Sequence, residues 1–300
     1  MATSRRTGTN EQISTYGASG FGRDYTVLGT WEAATDIDLV AATQSEVLEC
    51  YDDAASFDDA VSFNGATTDA SYHRIIRPAG TIGTGSWEGH DGTPNNGFKF
   101  HNTASNQSCF DLGSEDYSGL QDLIIEMTNP SSSNTIALQI DGGSNLMVGI
   151  IMVDVASANN AARGMRVNAG GIAVNCIAIR TDDWNFESTN GIFYNCNSID
   201  AGGEGFDNAG GTVVVKNCLA DGNTPDFSTG TWTGSTNNAS SDATAPGTSP
   251  RINQTFTFKN AGNDDYHLAG SDGGALGFGA DLSADGVFAF DDDIDGNLRS

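Results

Sequence analysis

An acidic cluster beside a tryptophan is the best candidate in the sequence for bond-breaking chemistry. The segment RTDDWNFE places Asp182, Asp183 and Trp184 in succession, and Asp207 follows further along the chain. Two neighbouring carboxylates can hydrolyse a glycosidic bond as acid and base or as acid and nucleophile. An indole ring offers an apolar face on which a sugar can pack. The residue types therefore indicate a carbohydrate site, and solvated turn residues are the alternative reading.

A second acidic motif points to metal binding. Asp291, Asp293 and Asp295 precede Gly296 in the order D-x-D-x-D-G, which is how an EF-hand calcium loop begins. The bidentate glutamate expected at the twelfth position is missing from the sequence. We therefore expect at most a structural calcium site, with an acidic turn as the alternative, and we expect no required cofactor.

The element that must position the acidic cluster is a repeat. An Asn-Cys pair recurs at spacings of 20 and 22 residues, each time inside a short apolar run that a glycine opens. The pairs are Asn175-Cys176, Asn195-Cys196 and Asn217-Cys218. A period in this range predicts a solenoid, in which equivalent residues of successive coils stack on one another.

Stacking assigns a structural role to each member of the pair. Cysteine is a small hydrophobe that fits a narrow interior position. Asparagine tolerates left-handed backbone geometry at a corner, and its amide can bond to the amide of the next coil. A catalytic or redox role is the alternative. Because no C-x-x-C motif or zinc-type spacing occurs among the five cysteines, we expect buried, reduced thiols.

Two longer stretches resemble a known family. Residues 20–40 and 49–79, together with the closing segments DDYHLAGSDGGALGFGADLS and DDDIDGNLRS, are similar to pectin-lyase-like proteins of bacteriophage and environmental sequences. The resemblance implies an all-β fold, a single-stranded right-handed parallel β-helix. It also implies a structural protein of a virus particle, either a capsid decoration or a fibre-like or spike-like component, associating as a homotrimer with other virion proteins.

Enzymes among the pectin-lyase-like proteins provide the alternative hypotheses to a structural role. The resemblance also admits a polysaccharide lyase or glycoside hydrolase, for example one carried on a tailspike. The Gly-His-Gly and Arg-Ile-Lys motifs of the related polygalacturonases are missing here. We therefore favour a non-enzymatic role, keep the degrading enzyme as the first alternative, and keep a carbohydrate-binding surface module that uses Trp184 as the second.

Composition divides the chain into four parts. Residues 1–45 form an arm and cap in which Thr26 caps a short helix carrying Val27, Leu28 and Trp31. Residues 46–223 form the coils. Residues 224–250, poor in apolar and rich in Ser, Thr and Gly residues, read as a long excursion, and residues 251–300 hold closing coils with a strand at 252–260.

Net charge limits the partners. The formal charge of −26 disfavours nucleic acid and anionic lipid. No apolar run long enough for a membrane span occurs, and Ser4-Arg5-Arg6 lacks the apolar segment of a secretion signal. The expected location is a virion, assembled in host cytoplasm and released by lysis.

Overall fold

A computed structural model describes residues 3–103, 108–113, 115–129, 135–157 and 159–299. Strands hold 34% of the residues and helices 5%, so the all-β class is confirmed. In chain order the elements are β1 (Glu11–Tyr16), α1 (Leu28–Ala34), α2 (Leu39–Ala42), β2 (Ser45–Cys50), β3 (Val61–Ser62), β4 (Arg74–Pro78), β5 (Lys99–Asn102), β6 (Phe110–Asp111), β7 (Gly119–Gln121), β8 (Ile124–Asn129), β9 (Ile136–Ile140), β10 (Leu146–Val148), β11 (Ile151–Ser157), β12 (Arg163–Val167), β13 (Ile172–Val174), β14 (Ile177–Ile179), β15 (Phe186–Ser188), β16 (Ile192–Tyr194), β17 (Asn197–Ile199), β18 (Phe206–Asn208), β19 (Val214–Lys216), β20 (Leu219–Asp221), β21 (Ala239–Ser240), β22 (Phe258–Asn260), a 3-10 helix (Ala261–Asn263) and β23 (Asp265–Leu268).

The strands of the described residues form three parallel sheets and one antiparallel pair. Sheet A has the order β1-β2-β4-β7-β10-β13-β16-β19, sheet B the order β5-β8-β11-β14-β17-β20-β21, and sheet C the order β3-β6-β9-β12-β15-β18. From β7 to β20 the chain visits A, B and C in turn, and each such circuit pairs with the circuits before and after it. Equivalent residues of neighbouring circuits therefore stack, as the repeat predicts.

From β7 onward, the step from sheet A to sheet B is made by one left-handed residue in each circuit. We call these residues the corner row, which consists of Asp122, Gly149, Asn175, Asn195, Asn217 and Asn237, all with φ between 54° and 62°. At Gly149 a side chain would also collide with Asp122, since an added Cβ would lie 2.3 Å from its Oδ1. The Asn-Cys pair is thus the recognisable part of a longer series of corners.

The space between the three sheets is filled by stacked apolar side chains. Cys176, Cys196 and Cys218 follow the corner row and are buried. Phe206 stacks between Phe186 and Phe227, with centroid distances of 4.8 and 4.9 Å and nearly parallel rings. Burial of such columns supplies the main stabilisation of a solenoid, because each circuit covers the apolar surface of the next.

Helix α1 packs on the core near the first circuits. Leu28 and Trp31 are fully buried, and Trp31 lies 5.9 Å from Phe63 between ring centroids. The predicted cap residue was wrong: Val27 occupies the N-cap position, makes no side-chain cap and is half exposed. The Leu28 amide instead donates to Asp59 Oδ2 at 2.7 Å, so a distant carboxylate replaces the predicted Thr26 cap.

The composition of residues 224–250 predicted an excursion away from the stack, but the segment stays in the stack. Phe227 bridges to Phe206 of sheet C, Thr236 bridges to Lys216 of sheet A, and β21 pairs with β20 of sheet B. The segment therefore adds one irregular circuit. Its low apolar content misled the prediction because backbone pairing, with few interior side chains, holds it in place.

Residues 251–299 cover the outside of the stack instead of adding regular circuits to it. Tyr266 and Ile294 join the outward residues Ile151 and Ile177 of sheet B in one apolar cluster. Leu282 and Phe290 join Val174 and Tyr194 of sheet A in another. The predicted strand at 252–260 is reduced to β22, which forms an antiparallel pair with β23.

Candidate functional site

The acidic cluster lies on sheet C and on the corner that leads into it. Glu187 of β15 pairs in register with Asp207 of β18 on one side and with Arg166 of β12 on the other. Asp183 and Trp184 precede β15. Two of the predicted residues, Asp183 and Asp207, are therefore close enough for their charges to interact, and Glu187, the last residue of the segment RTDDWNFE, joins them.

Arg163 occupies the middle of this cluster. Its Nη1 donates to Glu187 Oε2 at 3.1 Å, and its Nε lies 3.5 Å from Asp183 Oδ2. Its guanidinium carbon lies 4.0 Å from the centre of the Trp184 ring. One cation therefore compensates two of the carboxylates and covers one face of the indole.

Three carboxyl groups of the cluster have a pKa above the ordinary value. Burial raises the pKa of Asp183, Glu187 and Asp207, and Arg163 partly opposes the shift in each case. Acid–base catalysis by two carboxyls works best when their environments push the two pKa values apart. The cluster supplies weak acids but no clear division into an acid and a base.

Asp182 and Trp184 have local contacts of their own. The carboxylate of Asp182 accepts a hydrogen bond from the backbone amide of Ser157 in the preceding circuit. The second neighbour of the Trp184 ring is the backbone at Gly203, where an added Cβ would lie 3.0 Å from the indole. A sugar that stacks on the face of Trp184 covered by Arg163 would have to displace that guanidinium.

The three aspartates of the calcium-loop motif have diverging partners. Asp293 Oδ1 accepts from the amides of Asp295 and Asn297, which closes a tight turn. Asp295 faces His267, whereas Asp291 Oδ1 is buried without a hydrogen-bond partner among the described residues. Among all the residues that the structure describes, no three His, Cys, Asp or Glu side chains are grouped as a metal site.

A cleft of about 490 Å³ opens between the corner row and the covering segment 251–299. Asn175, Asn195, Asn217 and Asn237 form one wall, and the opposite wall carries Lys259, Tyr266, His267 and Asp295. Sequence analysis missed this cleft, because its two walls are distant in the sequence. The recurring asparagine was the one available signal, and it was interpreted as purely structural.

His267 lies between two carboxylates at the edge of the cleft. Its Nδ1 is 2.5 Å from Asp265 Oδ1, and its Nε2 is 3.0 Å from Asp295 Oδ2, an ion pair by distance although not aligned as a hydrogen bond. Asp295 and Asp265 raise the pKa of His267 to about 9 against the opposing effect of burial. The imidazole is therefore a cation at neutral pH.

Comparison with known proteins gives this chain no relatives: no family model, curated protein or solved structure matches it. No helix of the described residues is long and apolar enough to cross a membrane.

Proposed function

We propose that this chain is a single-stranded right-handed parallel β-helix and a non-enzymatic structural protein of a virus particle. The ordered rotation of the chain through three parallel sheets supports the β-helix. The resemblance of residues 20–40 and 49–79 and of the closing segments to phage-type proteins supports the virion role. The proposal includes self-association as a trimer, contact with other virion proteins, and release from the host cytoplasm by lysis.

The observation that carries the non-enzymatic role is the position of Arg163. A catalytic carboxylate must reach the glycosidic bond, and an acid–base pair needs one protonated and one ionised member. Here Arg163 pairs with Asp183 and Glu187 and covers Trp184. The best catalytic candidate is thus an ion-paired surface network, of a kind that contributes to local order.

A polysaccharide-degrading enzyme is the second candidate, because burial raises the pKa of three neighbouring carboxyls. The test is an assay for reducing ends and unsaturated products against a panel of neutral and acidic polysaccharides, with calcium and with chelator. We expect no turnover. Turnover that disappears in both Asp183→Asn and Asp207→Asn, but persists in Asp141→Asn as a control outside the cluster, would replace the structural role with an enzyme.

Two further parts of the proposal have direct measurements. Sedimentation equilibrium should give three times the monomer mass, and a monomer at all concentrations would contradict the proposed trimer.

A structural calcium ion at Asp291, Asp293 and Asp295 would raise the melting temperature when calcium replaces chelator, and Asp293→Asn would abolish that difference. Binding of a glycan through Trp184 stays a proposal.

A further inference from the structure

The dipeptide Asn-Gly occurs three times in the chain, at Asn64-Gly65, Asn96-Gly97 and Asn190-Gly191. In this dipeptide the backbone nitrogen of the glycine can attack the side-chain amide of the asparagine, because the second residue has no side chain to block the approach. The reaction closes a five-membered ring only if that nitrogen is free and the peptide group can turn toward the amide. The surroundings of each pair therefore determine whether it reacts.

Asn190-Gly191 is held in place by three hydrogen bonds. The amide of Gly191 donates to Ser188 Oγ at 2.6 Å. The side-chain oxygen of Asn190 accepts from the Thr212 amide at 3.0 Å, and its backbone carbonyl accepts from the Gly170 amide at 2.8 Å. Because attack by the Gly191 nitrogen would first have to break these hydrogen bonds, this pair should be the most stable of the three.

Asn64-Gly65 is held in part. The amide of Asn64 donates to Glu32 Oε1 at 3.0 Å, and its carbonyl accepts from Nη2 of the buried Arg74 at 3.3 Å. The nitrogen of Gly65 has no hydrogen-bond acceptor among the described residues. Since that nitrogen and the Asn64 carbonyl belong to one peptide group, the contact with Arg74 restrains its rotation and should slow the attack.

Asn96-Gly97 has the fewest restraints. Asn96 is exposed, and its side chain makes one hydrogen bond, from Nδ2 to Asp91 Oδ2 at 3.2 Å. Within the described part of the chain, neither the backbone of Asn96 nor the nitrogen of Gly97 makes a hydrogen bond. The peptide group between the two residues can therefore turn toward the side-chain amide at the smallest cost of the three pairs.

We propose that Asn96 is a site of spontaneous deamidation, which converts an asparagine into aspartate or isoaspartate. The Gly97 nitrogen loses its proton to solvent and bonds to Cγ of Asn96, and the Cγ–Nδ2 bond breaks as ammonia leaves with a proton from solvent. Water then opens the cyclic imide at either carbonyl, which leaves one new carboxylate. This inference goes beyond the proposed structural role and does not depend on it.

The new charge would lie beside Asp91, in a loop that contacts the covering segment. Nδ2 of Asn95 donates to the carbonyl of Asn263 at 2.7 Å. Repulsion between two carboxylates would replace the hydrogen bond that Asn96 now donates to Asp91. Deamidation should therefore loosen the covering segment around residues 261–268.

The test is incubation of the full folded chain at mildly alkaline pH, followed by digestion at acidic pH and mass spectrometry of the peptides. Each deamidation adds about 1 Da. We expect conversion at Asn96 at least about tenfold faster than at Asn190, where three hydrogen bonds have to break first, with Asn64 between them. In guanidinium chloride the three sites should react at similar rates, because the structure that separates them is gone.

Variants test the two physical arguments. Ser188→Ala removes the acceptor of the Gly191 amide and should raise the rate at Asn190 about fivefold, the effect of one lost hydrogen bond. Asn96→Asp should raise hydrogen exchange in residues 261–268 without any incubation, and Asn190→Asp, on the stack, is the matched control that should not. Unchanged exchange in Asn96→Asp would contradict the loosening.

The kinetic outcomes that overturn the site are equally direct. The inference is wrong if Asn96 stays intact in the folded chain, or if it converts no faster than Asn190. It is also wrong if the same differences in rate persist in guanidinium chloride, since the folded structure would then not determine which pair reacts.

Discussion

At the scale of a single residue, His267 makes the stability of the covering segment, residues 251–299, depend on pH. Its pKa of about 9 exceeds the value of about 6.5 for an unfolded histidine, because Asp295 and Asp265 flank it. A raised pKa adds stability that is complete below pH 6.5 or so and is lost as the pH rises through about 9. The contribution is on the order of 2–3 kcal/mol.

The expected result is a free energy of unfolding that falls between pH 6.5 and 9.5. Urea titrations across this range measure the fall, and His267→Gln should largely remove it. His101→Gln, on β5, is the matched control and should keep the parent's pH profile. If the His267→Gln profile is as steep as the parent's, another group carries the pH dependence.

Single residues also show the limit of what the repeat could predict. Asn175, Asn195 and Asn217 were recognisable because the same residue type recurs before a cysteine. Asp122 and Gly149 occupy equivalent corners and escaped detection, because a left-handed corner requires a backbone conformation and not one particular side chain. The environment of Asn195 Oδ1, which is buried without a hydrogen-bond partner among the described residues, could not be predicted, since it depends on which neighbours the covering segment satisfies.

At the scale of elements, a buried ion pair joins β4 to the segment before β7. Arg74 is fully buried; its Nε donates to Glu115 Oε1 at 2.8 Å, and its Nη1 lies 3.4 Å from Glu32 Oε1 of α1. Removing the charge of Glu115 would leave the buried guanidinium with the longer contact to Glu32 and too little compensation in a poorly solvated place. The stability of helix α1 and the stability of strand β4 should therefore both depend on Glu115.

Glu115→Gln keeps the shape of the side chain and removes its charge. We expect a loss of about 3–5 kcal/mol in the free energy of unfolding, measured by urea denaturation. Arg77→Gln, three residues along the same strand, breaks a partly exposed contact with Glu11 and Glu49 and should cost less than about 1 kcal/mol. Equal losses in the two variants would mean that the burial of Arg74 does not determine how much the free energy of unfolding falls.

Elements were predictable where local pattern and final structure agree. The stacked coils around the three Asn-Cys pairs and the all-β class follow from short apolar runs separated by turn residues. Residues 224–250 were misassigned because their pairing is made by backbone groups, which composition does not report. The cleft was out of reach for a different reason: it forms only where residues 251–299 lie against corners more than a dozen residues away in the chain.

At the scale of the whole molecule, the N-terminal arm fastens the covering segment to the stack. Arg5 binds both carboxylate oxygens of Asp122 in the corner row, at 2.7 and 2.8 Å, and also Asp292 Oδ2 at 3.0 Å. The Ser4 amide donates to Asp292 Oδ1 at 2.9 Å. Two distant parts of the chain therefore share one guanidinium, whose bidentate geometry a lysine cannot reproduce.

Arg5→Gln should loosen the covering segment before the stack unfolds. Hydrogen exchange measured by mass spectrometry should rise at least about tenfold in residues 288–299, because opening of this segment would no longer break the shared ion pair. Arg6→Gln is the matched control, since within the described part of the chain the Arg6 side chain donates to the carbonyls of Tyr117 and Ser144 in the stack and not to the covering segment. Faster exchange spread evenly over all three sheets would instead show that the arm stabilises the molecule as a single cooperative unit.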